Sequence, residues 1–556
     1  MKRLTFVVLA ALLLLGLAIQ PGIWPRFGVK DPAAIAAESQ VPLFEGLETV
    51  HHSITTDSDI AQQYFDQGLA LTYGFNHAEA VRAYREAVRQ DPDCAMCYWG
   101  MAFALGPNIN AAMDDEAVPE AYSAMQMAEE LAENASDRER AYIQALSARY
   151  SNAVVEDRSP LDTSFAEEMG KVVEQYPDDL DAAVFYAEAL MDTTPWNYWD
   201  EDGQPREATS KVLDTLESVM RQEPEHPGAN HLYIHAVEAV HPEWAEAAAD
   251  RLGNLVPGSG HLVHMPSHIY INIGRYRDAA TANVAAIAAD NEYATQCHAQ
   301  GIYPLAYMPH NEHFLWASAA MSGQSELSIQ VARDLASGLN QEMMPELGAI
   351  QHYSAIPYYA LQRFGRYDEI LEEPAPASGL GYPTGVWHYV RGMAYAAKEQ
   401  FDEAEQELQQ LQAIAADPAI EDVTIWDLNS TARLLEIASD VLQGEIASRQ
   451  EDWDGAIAHL EAAIAIEDQL IYDEPEDWNQ SVRQLLGAVL LEADRPVEAE
   501  AVYREDLLDN ERNGWSLFGL GQSLEAQGRD TEAMLVQARF DEAWQDADVQ
   551  LTASRF

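Results

Sequence analysis

The chain has 556 residues, too many for one ordinary hydrophobic core, yet no obvious linker divides it into separate globules. Its 92 acidic residues face only 32 basic ones, a formal net charge of −60, and a surface of that sign repels phosphate backbones, which argues against nucleic acid as a partner. Ala, Leu, Glu and Gln dominate and no long stretch alternates apolar with polar residues, so the expected class is all-α, arranged as an array rather than a globule. The acidity fits either solvated helix faces or a protein made for salty surroundings.

Lys2 and Arg3 give a positive start, and residues 4–19 (LTFVVLAALLLLGLAI) carry no charge, the pattern of an export signal. Residues 21–24 extend the run toward the length of a membrane span, so residues 1–24 are either a cleaved signal peptide or a retained membrane anchor. Both place the rest of the chain outside the cytoplasm, as a periplasmic protein either secreted or held at the inner membrane by residues 4–24. Residues 25–55 read as a tether.

Residues 64–92 read YFDQGLALTYGFNHAEAVRAYREAVRQDP. Large Tyr64 and small Gly68 stand four apart in a first helix, Ala80, Tyr84 and Ala87 line a second, and Pro92 ends it. In this pattern the chain resembles the tetratricopeptide repeat (TPR) family, whose unit is about 34 residues long. The frame returns at Gly274, Tyr276 and Ala279, at Gly365 and Tyr367, and at Gly392, Tyr395, Phe401 and Ala404. It returns again at Gly444, Trp453, Ala456, Leu460 and Ala463, at Gly487, Ala499 and Tyr503, and at Gly521, Gly528 and Ala533.

The resemblance implies a right-handed superhelical solenoid over residues 56–545, roughly eight to ten TPR-like helix pairs, behind the N-terminal hydrophobic helix and followed by a tail at 546–556. Interruptions near 106–120, 193–205 and 291–308 are too long for tight helix-to-helix turns. Trp196, Tyr198 and Trp199 make the second of them aromatic, which either packs it down or offers binding anchors. The chain also resembles bacterial exported TPR proteins of unassigned function, through its FNHAEA, CAMCYWG, GPNIN and HLVHMPSHIY stretches, and that resemblance transfers no activity.

TPR proteins characteristically bind ligands on the concave face lined by their first helices, at the second, fifth and ninth places of the unit. In the frame fixed by Gly274 those places hold His261, His264 and His268; in the frame fixed by Gly323 the second and fifth are His310 and His313; in the frame fixed by Gly365 the second is His352. The preceding unit adds His231 and His235, four apart on one helical face but one place off the groove in phase. Glu188 and Asp192 reach the groove from an earlier repeat, and Tyr303 and Tyr307 stand between two His-bearing helices. The expected ligand groove is therefore His261, His264, His268, His310, His313, His352, Glu188 and Asp192. His231, His235, His261, His264, His268, His310 and His313 are candidate ligands for Zn or Cu, which both accept nitrogen donors, with structural hydrogen bonding as the alternative. No HExxH, phosphate loop or nucleophile elbow is present, so no catalytic residue is assigned.

Cys94 and Cys97 form CAMC at the start of a helix, where a disulfide, a metal contribution and plain buried thiols all fit, and export favours the first. Cys297 is left over beside His298. His77 is assigned to interhelix packing, with Asn76 capping the turn. Two functions follow: an exported TPR scaffold holding a protein, peptide or small ligand in its groove, with self-association open through Phe540 and Trp544 of the last helix; or a His-rich metalloprotein, with catalysis left open, whose Zn or Cu sits in the groove.

Overall fold

The computed structural model describes residues 41–296 and 301–556. The signal or anchor at 1–24, the first part of the tether, and Cys297 with His298 lie outside them. Among the described residues no helix is long and apolar enough to cross a membrane. The described residues are almost wholly helix, and their one strand pair, Thr424–Ile425 with Asn429–Ser430, is two residues a side. They form two compact units, residues 41–269 with 285–308, and residues 270–284 with 309–556.

In the first unit consecutive helices pack on one another through the small-to-large pattern of the repeat. Asp59–Tyr73 lies on His77–Gln90, and the Tyr84 ring covers both Gly68 and Gly100, the latter on the next helix, Ala95–Ala104. A Cβ at Gly68 would come within 2.7 Å of that ring, so the glycine is what lets the helices approach. Tyr503 covers Gly487 and Gly519 in the same way in the second unit. Cys94 is the N-cap of Ala95–Ala104 and its sulfur is bonded to that of Cys97. Asn76 occupies the N-cap of His77–Gln90 but makes no side-chain cap, contrary to the expectation.

Parts of the stretches read as tether and tail are packed. From residue 41 the tether is a strap over the first helices: Val41, Phe44, Leu47 and Val50 are buried, Tyr64 Oη donates to the Val41 carbonyl at 2.8 Å, and Phe44 N–H donates to Gln67 Oε1 at 2.8 Å. The apolar side chains recur every three residues, which gives the strap one face to bury. The tail at 546–556 is likewise seated in the second unit. Arg555 is buried between Glu445 and Glu492, and the Phe556 ring lies against Gly365 and, centroid to centroid, 5.8 Å from Trp515.

Gly68→Val would drive its side chain into Tyr84. We expect a loss of about 1–3 kcal/mol, read as a lowered midpoint in urea unfolding, whereas Gly379→Ala, whose Cβ would meet nothing within 4 Å, should lose less despite its positive φ.

Candidate metal centre

His231 and His235 lie on the helix Pro227–Val237, which starts on a proline and carries apolar residues on nearly every face. Such a helix must be buried all round, and it takes both imidazoles inside with it. His261 and His264 lie on the short helix Gly260–His264, and His268 follows on Pro266–Asn272, so spacings of three and four keep the rings on one side of the chain.

These elements bring five imidazoles together within the first unit. His231 Nε2 and His261 Nε2 are 3.1 Å apart, and one ligand nitrogen from each of His231, His235 and His261 lies within 4.8 Å of the other two. His264 Nε2 and His268 Nε2 are 3.0 Å apart, and Ser267 Oγ is 3.3 Å from His264 Nδ1. Glu238, buried one turn beyond His235, joins the two groups: Oε1 is 3.0 Å from His235 Nδ1 and Oε2 is 3.2 Å from His268 Nδ1. His235 Nε2 is buried with no hydrogen-bond partner.

The walls come from the three interruptions and one turn. Phe75, at a positive φ of 53°, sets its ring 4.5, 5.8 and 5.5 Å from those of His231, His235 and His261. Trp196, in the second interruption and at a φ of 61°, meets His235 edge to face at 5.4 Å. Bulky residues are rarely held in the left-handed region, so both turns are strained where they touch His235. Tyr307 of the third interruption packs on His261 at 4.9 Å and accepts from Asn110 Nδ2 of the first at 3.1 Å. Tyr303 Oη accepts from the His261 N–H at 3.0 Å and donates to Asp290 Oδ1 at 2.8 Å.

Burial sets the charge state. It lowers His235 to about 3, and it holds His231 well below the usual imidazole range, helped by the neighbouring His235 and His264. Both rings are therefore neutral, the form that ligates metal. Burial also pushes the Glu238 carboxyl well above its usual range, and a cation beside it would oppose that shift.

Glu188 and Asp192 are placed elsewhere. Glu188 and Asp192 are buried on the helix Leu180–Asp192, where Asp192 Oδ2 accepts from Arg149 Nη2 at 2.6 Å and Arg149 Nε donates to Asp162 Oδ1 at 3.1 Å. Burial pushes both carboxyls up; Asp192 pairs with this enclosed arginine, and Glu188 lies in its field. His310, His313 and His352 belong to the second unit, where His313 and His352 have ring centroids 5.4 Å apart and His352 Nδ1 bonds Tyr382 Oη at 2.9 Å. Of the eight expected groove residues, seven are buried, His264 wholly so, and His310 is half-buried. Glu238 and Phe75 were not singled out by sequence, although Glu238 follows His235 by three on a helical spacing.

No family model and no curated protein matches the chain. Among solved structures it is similar to the human IFIT1 dimer with m7Gppp-AAAA, at 11% identity over 88% of this chain and 91% of that one, with a TM-score of 0.28. It is similar also to Ypp1, at 9% identity over 87% and 81% and a TM-score of 0.38, and to the TPR domain of P58(IPK), at 12% over 85% and 99% and a TM-score of 0.23. Scores this low transfer neither ligand nor partner to this chain.

A separate ion pair in the first unit gives a pH dependence. His52 Nδ1 lies 2.6 Å from Asp181 Oδ2, and His226 Nε2 and Tyr73 Oη share Asp181 Oδ1 at 3.2 and 2.5 Å. Burial opposes the charged His52 ring, but the hydrogen bond and charge of Asp181, with Asp179 adding and Arg138 subtracting, raise it above 6.5. Burial likewise opposes the Asp181 carboxylate, and the two imidazoles outweigh it and hold the group well below 3.8. The pair's contribution is therefore complete between 3.8 and 6.5, falls as pH rises through the folded value of His52, and falls as pH drops through that of Asp181. The gap in melting temperature between the native chain and His52→Gln should be wide near pH 6 and narrow as the solution is made alkaline.

Proposed function

We propose that this is a metal-binding helical-repeat protein whose first unit holds a transition-metal ion, Zn or Cu, on His231, His235 and His261. The observation that carries the reading is the convergence of three buried imidazoles, with one nitrogen of each within 4.8 Å of the others, and with His235 Nε2 buried and without a hydrogen-bond partner. Metal–nitrogen distances of about 2.0–2.1 Å place neighbouring donors roughly 3 Å apart, close to the 3.1 Å between His231 Nε2 and His261 Nε2. Nitrogen donors without a carboxylate in the inner set suit Zn or Cu and not Mg or Ca. Glu238 holds His235 through its other ring nitrogen, the outer-sphere contact that commonly fixes a ligating histidine.

The Cys94–Cys97 disulfide supports placing this protein in an oxidising compartment outside the cytoplasm, in keeping with the export signal expected at residues 1–24. A protein or peptide partner on the outer helix faces is compatible with the same fold and is carried by no particular residue.

Tag-free protein stripped with chelator and reloaded with Zn or Cu should retain at least about one equivalent by elemental analysis. His231→Ala with His235→Ala should abolish tight retention at this centre, while His388→Ala, at a ring bonded to Glu407, should not. A folded wild-type chain that retains no ion after loading would end the proposal.

A further inference from the structure

We infer that the first unit takes a second metal ion, of the same nitrogen-preferring class, on His264 and His268, and that Glu238 is the outer carboxylate common to both ions. The inference extends the metal-centre reading above and rests on it for the first ion.

Two observations carry it. The His264 and His268 Nε2 atoms face each other at 3.0 Å, repeating the 3.1 Å approach of His231 and His261 one helical turn away, where His261 and His264 have ring centroids 6.0 Å apart. Two donors on one ion at about 2.0–2.1 Å, separated by an angle between square and tetrahedral, stand roughly 2.9–3.4 Å apart, and both pairs fall in that range. The second observation is the place of Glu238 between the two pairs. Its Oε1 is hydrogen-bonded to His235 Nδ1 at 3.0 Å, which leaves Nε2 as that ring's ligand nitrogen. Its Oε2 lies 3.2 Å from His268 Nδ1, on the side of the ring away from the Nε2 that meets His264. Ser267 Oγ, 3.3 Å from His264 Nδ1, can accept that ring's Nδ1 proton.

The surroundings suit ions rather than water-filled hydrogen bonding alone. His264 and Ser267 are wholly buried, and His268 is 6% exposed. With two imidazoles against three, the His264–His268 ion is the more weakly held. Glu238 contributes one negative charge to two cations, which makes its loss felt at both.

Titration of the metal-stripped full chain with Co2+, followed by its visible absorption and by isothermal calorimetry, reads the two ions separately. Two equivalents are expected in the wild type, the weaker lost in His264→Gln with His268→Gln and the tighter lost in His231→Gln with His235→Gln. Glu238→Gln should weaken both by about 10–100-fold. One equivalent in the wild type, or two that survive in His264→Gln with His268→Gln, overturns the second ion and leaves the first; no binding at all in folded protein overturns the first reading as well. Circular dichroism of each variant identifies any that fail to fold, and for those the single His268→Ala change replaces the pair, with loss of the weaker equivalent alone supporting the inference and its retention overturning it.

Discussion

A single buried acidic side chain, Glu238, stands between two histidine pairs, hydrogen-bonded to His235 Nδ1 and 3.2 Å from His268 Nδ1. The order of the histidine cluster depends on that position. An imidazole free to rotate would present either nitrogen, and five free rings would present a blur of donors and acceptors. Holding His235 by Nδ1 determines which nitrogen that ring offers. Burying a polar side chain without a hydrogen bond is costly, and His235 supplies that bond to Glu238.

The repeat architecture supplies the rigidity that this bridge requires. Close helix pairing through glycine and tyrosine, as at Gly68 and Tyr84, leaves little room for side chains to move aside. Onto that frame the three interruptions bring Asn110, Trp196 and Tyr307, each touching a histidine of the cluster or a residue that does. The strained turns at Phe75 and Trp196 press aromatic rings on His235 from two directions. Strain in the backbone is tolerated where surrounding packing over-determines it, and both positions sit in such packing.

Much of this was legible from residue spacing, and its limits have physical causes. The repeat frame brings His261, His264 and His268 to one side because helical phase is a local property. His231 and His235, one place out of that phase, join the same cluster because their helix is apolar on nearly every face and is buried regardless of register. Phase does not reveal burial: the frame assigns these positions to an open groove, and only the three-dimensional course of the interruptions closes it. Glu238 carried no signal because acidic residues are common throughout the chain, 92 of 556, and its spacing of three from His235 is met by chance many times over. The strap at 41–55 and the seat of Arg555 between Glu445 and Glu492 depend on residues far away in sequence, which no local pattern announces.

The contrast between surface and interior then has a chemical sense. A formal charge of −60 gathers cations of every kind around the chain, yet that attraction does not discriminate between them and is screened beyond roughly 8 Å at physiological salt. Exposed carboxylates favour the hard ions, Mg and Ca, which are also the abundant ones. Selection for a softer ion has to be made where the carboxylates are excluded from the inner set and only neutral nitrogen remains. Burial achieves this by holding His231 and His235 uncharged, and an ion bound there would favour the charged form of Glu238 beside it. A site made in this way on the proposed reading concentrates ions by its surface and chooses among them by its core, and the two tasks can be altered independently of each other.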